Sequence, residues 1–288
     1  MKKLLLLTLT LTFALGAVAK PKKVVMIAGR QSHGPLSHEH KAGIMLLAKC
    51  LQENAGDLVA PTVVLNGWPK DNNVFRDVAA VVIYSDGGGR HPALGGNNLE
   101  MLGRMMEEGV GFLTIHYAVE PTTNKGNKEF IAWQGGCFET HWSVNPHWVA
   151  NFKKLPKHPI TRGVKPFKAN DEWYFHMRFA PGMKGVTPIL SDVAPKETMR
   201  RGNGAHSGNE HVRKSVAAGD LQHVAWAFER PNGGRGFGFT GGHNHLNWGN
   251  DDFRKTVLNA IVWVSKAEVP ANGVPSKVSE QDLYANLD

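Results

Sequence analysis

Sulfur chemistry is nearly absent from this chain, which carries two cysteines, Cys50 and Cys137, in 288 residues. There is no paired C-x-x-C and no H-E-x-x-H, so the fixed zinc patterns are missing. Cys50 falls on the apolar face of a helical stretch, where a small buried thiol is expected. An exported chain could pair it with Cys137, and the sequence leaves that open. Neither cysteine is expected to be catalytic. Long apolar runs are also missing after the first residues, so no later segment is expected to cross a membrane. Blocks of one charge are lacking too. The 33 Lys and Arg exceed the 25 Asp and Glu, for a formal net charge of +8, but they are scattered. No recognition helix or base-stacking motif accompanies them. The charge therefore reads as solubility, and nucleic acid is not an expected partner.

The amino terminus has a different character. Lys2 and Lys3 precede an apolar run from Leu4 to Leu15, and Ala17-Val18-Ala19 follows. This is the pattern of a secretory signal peptide over residues 1–19, cut after Ala19. The mature chain would begin at Lys20 and be periplasmic or secreted. Its length suits one large α/β domain, residues 20–270, with residues 271–288 as a C-terminal extension.

Lys23 to Ala28 (KVVMIA) is a short continuous apolar run, as expected of a parallel strand buried on both faces. A loop follows from Gly29 to Ser37. Ser37 is expected to cap a helix with Glu39 in its first turn. Ile44, Leu47, Ala48 and Leu51 then mark one buried face. His38 and His40 read as members of a solvated first turn. Strands are expected at Val59–Leu65, Ala79–Tyr84 and Val110–Ile115, with a helix near Asn97–Glu108. The alternation implies an α/β fold, a mostly parallel open sheet with helices on both faces. Residues 118–170 are rich in Pro, Gly, Trp and His and lack periodicity, as a functional loop or lid would. Later strands are expected at Trp173–Phe179, Val186–Leu190, His223–Phe228 and Gly236–Thr240. Arg200–Gly219 reads as a mobile polar loop. Asn250 is expected to cap the last long helix.

Four polar clusters fall at expected strand ends, which converge on one rim in a parallel sheet. One holds Ser32, His33, His38 and His40. Another is Asp86-Gly87-Gly88-Gly89-Arg90, whose Gly88 and Gly89 could offer backbone groups to a ligand. A third is His116-Tyr117, and the last is Gly241-Gly242-His243-Asn244-His245. His116 ends a buried strand where many hydrolases place a Ser or Cys nucleophile. His243 and His245, two apart, would face one side of an extended chain. His116, His243 and His245 are thus candidate ligands for a divalent metal such as zinc. No glycine spacing fits a dinucleotide fingerprint, so no nucleotide cofactor is indicated. The stretches GCFETHWSVNPHW and DEWYFH interleave aromatics with His141, Asp171 and Glu172, as sugar sites do. A Trp-rich satellite core is the alternative.

The order of these motifs resembles the ThuA-like (trehalose utilisation) family. The points of likeness are SHG and H-E-H-K near the start, GGG after the third strand, GFLTIHYA, and GG-x-F followed by THW. HPIT at 158–161, DEWY at 171–174 and the closing GGHNH complete the series. The resemblance covers roughly residues 22–267. It implies a flavodoxin-like fold similar to class I glutamine amidotransferases. Those enzymes carry a Cys at the elbow that His116 occupies here, so Cys-dependent glutaminase chemistry is not expected. The resemblance also implies disaccharide use, often beside sugar dehydrogenases.

The expectation is an exported enzyme acting on a disaccharide or oxidised (keto) sugar, with a small carbohydrate as its partner. His116, His243 and Glu172 are the candidate catalytic residues. His33, Gly88, Gly89, Tyr117, His141, Trp142, Asp171 and Asn244 are the candidate substrate contacts. A non-catalytic carbohydrate-binding module and an amide hydrolase are the alternatives.

Overall fold

The computed structural model describes residues 20–288, so the expected leader lies outside the described residues. The central sheet is built from β1 (Lys22–Ala28), β2 (Val59–Val64), β3 (Val78–Tyr84) and β4 (Gly111–Ile115). Two short pairs lie outside it. β5 (Gly136–Cys137) pairs with β8 (Arg178–Phe179), and β6 (Trp148–Phe152) with β7 (Phe167–Asp171). The sheet is completed by β9 (Val186–Val193), β10 (Leu221–Glu229) and β11 (Arg235–Phe239). Its seven strands run in the order β2-β1-β3-β4-β11-β10-β9. β2, β1, β3, β4 and β11 pair in parallel, and β10 is antiparallel to both its neighbours.

The period of two within the strands divides the core. Val24, Met26, Val82, Tyr84, Leu113 and Ile115 face α1 (His40–Ala55) on one side. Val25, Ile27, Val81, Ile83 and Phe112 face α2 (Asn98–Glu107) and α3 (Asn127–Gln134) on the other. A fourth helix, α4 (Glu210–Ala218), packs Val212 and Val216, and α5 (Asp251–Val264) shares the side of α1. Asn250 caps α5 as expected, accepting from the Asp252 and Phe253 backbone N–H groups. Among the described residues no helix is long and apolar enough to cross a membrane. Cys50 and Cys137 are both free and buried, in separate core clusters.

Four local expectations change. Ser37 does not cap α1. The cap is Glu39, whose Oε1 accepts the Leu36 N–H and whose Oε2 accepts the Asp288 N–H. The expected strand at 173–179 narrows to Arg178–Phe179, because Trp173 and Phe175 turn into the core. The expected loop 200–219 contains α4, capped by Asn209 and ended by Gly219 in a left-handed conformation. The tail from Pro270 packs back on the domain. Val274 is buried, and α6 (Glu280–Tyr284) packs on the His245–Gly249 turn and on α1.

One buried ring contributes to the acid sensitivity of this fold. His91 Nε2–H donates to the Ala118 carbonyl, and Nδ1 accepts the Ala93 N–H. Burial lowers its pKa to about 4, against the pull of the Ala118 bond. The unfolded ring protonates near pH 6.5 and the folded one only near pH 4. His91 therefore stabilises fully above pH 6.5 and less as pH falls towards 4, a loss on the order of 3 kcal/mol. Urea melts at pH 7 and pH 4.5 should show this drop, and His91→Gln should flatten it by about one proton. An identical pH slope in the variant would reject this origin.

Candidate metal centre at the carboxyl rim

The strand order puts β2 on one side of β1 and β3 on the other, the arrangement that opens a crevice at the strands' carboxyl ends. The site is built there. β1 leads into the loop carrying His33 and His38, β3 ends beside Asp86, and β4 ends at His116. Glu172 follows β7, and His243 follows β11. His116 opens a 3-10 turn directly after β4, with φ 56°, and His38 has φ 53°. Non-glycine residues rarely hold this left-handed conformation, which costs of order 1–3 kcal/mol and concentrates at functional sites. Gly87 fixes the neighbouring loop. A Cβ there would lie 2.3 Å from the Tyr117 carbonyl oxygen.

Four side chains meet at one point. His38 Nε2 lies 3.0 Å from His116 Nε2 and 3.0 Å from His243 Nδ1. Glu172 Oε2 lies 3.5 Å from His116 Nε2 and 3.2 Å from His243 Nδ1. All four atoms fall within 4.8 Å of one another. A zinc tetrahedron with bonds of about 2.0–2.1 Å has edges of about 3.3–3.4 Å, close to these separations.

The outer partners assign the tautomers. His116 Nδ1–H donates to the Thr240 carbonyl at 2.8 Å, so Nε2 presents a lone pair. His38 Nδ1–H donates to Asp86 Oδ1 at 3.2 Å, so its Nε2 does the same. Two lone pairs and a carboxylate therefore converge. The nearby donors are His243 and the Tyr174 hydroxyl, the latter 3.4 Å from His116 Nε2. A proton on His243 Nδ1 would serve His38 or Glu172, not both. A cation satisfies all of them, and histidine ligands backed by a carbonyl and a carboxylate are the usual support of a metal.

The electrostatics agree with this inventory. Burial pushes His116 far below the usual imidazole range, and His38 down as well despite its bond to Asp86. Both rings are thus neutral, the state in which imidazole binds metal. Burial alone would raise the Asp86 carboxyl, but bonds from His38 and Ser32 outweigh it and hold it at about 2. Asn145 Nδ2–H donates to Glu172 Oε1 at 3.1 Å and aims the carboxylate.

Not every candidate residue joins this group. His33 stacks on His38, ring centroids 3.6 Å apart, and Tyr117 stands 6.1 Å from the same ring. His245 is a correction. Asn244 caps a 3-10 turn that begins at His245, which sends that ring to the Leu283 carbonyl. Asn244 Oδ1 accepts the Leu246 N–H. Asp171 is buried and accepts the Gly242, His243, Asn244 and Glu172 N–H groups and Asn247 Nδ2–H. It positions the His243 loop and has no lone pair left for substrate. His141 is exposed and outside the group. Trp142 is half-buried and lies outside the four-residue group, with Arg178 3.7 Å above its ring and His176 and His211 beside it. The Gly88 N–H is taken by the Glu120 carbonyl, while Gly89 lines the adjoining cleft.

The sequence places His38 and Asp86 in polar clusters on the rim but not among the candidate site residues, and it does not show the pair Glu120–His206. His38 and His40 are both buried, not solvated. His206 Nε2–H donates to Glu120 at 2.9 Å, and this bond raises the ring's pKa against burial. The signal for His38 was its place just before the helix, in the loop that follows β1, on the rim that collects strand ends.

A model of the ThuA family, described as trehalose utilisation, matches residues 24–264. Among solved structures the fold is similar to a ThuA-like protein from Bacteroides uniformis. That likeness has 16% identity and a TM-score of 0.57, and covers 87% of this chain and 94% of that one. A ThuA-like protein from Parabacteroides merdae is similar at 17% identity and a TM-score of 0.55, covering 91% and 94%. No curated protein matches the chain. The family match spans most of the sequence, and the chain belongs to the ThuA family.

Proposed function

We propose that this protein is an exported, metal-dependent enzyme acting on a disaccharide or oxidised (keto) sugar at the carboxyl rim of its sheet. The observation that carries the reading is the convergence of His38 Nε2, His116 Nε2, His243 Nδ1 and Glu172 Oε2. These four residues would hold a divalent metal such as zinc. A metal bound there would supply a Lewis acid for a sugar carbonyl or hydroxyl. The family's description supports a carbohydrate substrate.

The chain's own groups supply the rest. Burial keeps the Tyr174 hydroxyl protonated, so it stands as a donor beside His116. His206 retains its proton to higher pH than a free imidazole because Glu120 accepts it. Such a paired ring suits a general acid at the mouth of the site. His116 stands where an elbow nucleophile would, and both cysteines are buried, so thiol-based acyl-enzyme chemistry is not part of this reading.

The test is incubation of zinc-supplemented and chelator-treated protein with trehalose and 3-keto-glucosides, followed by NMR. Consumption that chelator abolishes is expected. Saturable sugar binding with no turnover under either condition would replace the enzyme by a binding module.

A further inference from the structure

Beside the metal centre, and sharing Asp86 with it, lies a cleft of 650 Å³. It opens at the switch point, between the loops that follow β1, β2 and β3. Its walls include Arg30, Asn66, Trp68, Arg90 and Asn98. The volume is within the range of about 300–1,000 Å³ usual for small-molecule sites.

We propose that this cleft binds the anionic end of an acidic sugar, a carboxylate or phosphate, and so sets the substrate class of the neighbouring centre. The inference rests on the carbohydrate reading above. Charge is the first argument. Two arginines, both exposed, are among the lining residues, and Asp86 is the only carboxylate among them. Asp86 Oδ1 is already engaged by Ser32 and His38, and Oδ2 lies 3.6 Å from Arg90. Arg30 is left with no carboxylate in the cleft. Paired donors on a planar fork suit a carboxylate or phosphate.

Shape is the second argument. Asn66 and Gly67 both adopt positive φ, 65° and 96°, and this turn carries Trp68 to the wall. Phe75 supports the Trp68 ring from 5.0 Å, and Asn72 accepts its indole N–H, so its position is fixed. An indole wall with amide side chains beside it suits a sugar ring, apolar on its face and polar at its edge.

The test is calorimetry on the full chain in zinc-containing buffer. The probes are glucose, glucuronate, gluconate and glucose 6-phosphate. At least one anionic probe should bind about tenfold tighter than glucose, and which one does so separates carboxylate from phosphate. Trp68→Ala should weaken that probe about tenfold, and Arg30→Gln should remove its advantage over glucose. Zinc content, measured alongside, should be the same in both variants. Equal affinity for all four probes, no binding of any, or wild-type affinity in both variants would overturn the proposal. Zinc bound with no anion preference sinks the cleft alone. Anion preference in a protein that binds no zinc sinks the metal centre alone.

Discussion

Replacing His38 with alanine should lower zinc affinity more than 100-fold, because the loss of a ligand exceeds the 10–100-fold usual for a supporting group. His38 Nε2 is the one atom that lies 3.0 Å from both of the other ring nitrogens in the cluster. Asp86→Asn should cost about 10–100-fold, since the amide can still meet His38 Nδ1–H but carries no charge. Both variants should still unfold cooperatively in chelator, so that the loss of zinc affinity is read on folded protein. Zinc calorimetry with a melting curve for each variant checks this. Wild-type affinity in His38→Ala would remove His38 from the centre.

The second large effect is on stability. Asp171→Ala leaves the Gly242, His243, Asn244 and Glu172 N–H groups without their buried acceptor. Each orphaned buried donor costs about 1–3 kcal/mol, and part is regained as the loop relaxes towards water. A loss of roughly 3 kcal/mol or more is expected from urea melts. Asp171→Asn should lose less, because its amide oxygen still accepts. Since the same loop holds His243, both variants should also bind zinc more weakly. A melt for Asp171→Ala within 1 kcal/mol of wild type would show that the loop holds itself without the carboxylate.

The sheet was readable because β1, β3 and β4 are largely apolar runs, and a strand buried on both faces leaves few other readings. His116 was readable for the same reason. A polar residue that ends such a run has left the core at a known edge. His38 was not, since a Ser followed by an acidic residue resembles a helix start. The chain instead takes two more residues, one at positive φ, before α1 begins. His245 shows the limit of period-two reasoning. The alternation holds only while the backbone stays extended, and the Asn244 cap ends that at the next residue. The role of Asp171 was hidden by its neighbours. In DEWY two adjacent acids look equivalent, yet one is buried under five donors and its neighbour turns to the histidines. Only the tertiary placement of the loop after β11 distinguishes them. The helix α4 was hidden by the Gly-rich polar residues before it and by its own few buried positions, Val212 and Val216.

The central claim is that four side chains on the sheet's rim form one metal centre. The most direct measurement is zinc titration of chelator-stripped full-length protein, read by calorimetry and by elemental analysis after gel filtration. The account predicts one zinc per chain, retained through the column, and its loss in His116→Ala with the fold intact. Stripped protein that stays metal-free under saturating zinc, or a His116→Ala variant that binds as wild type does, would contradict it.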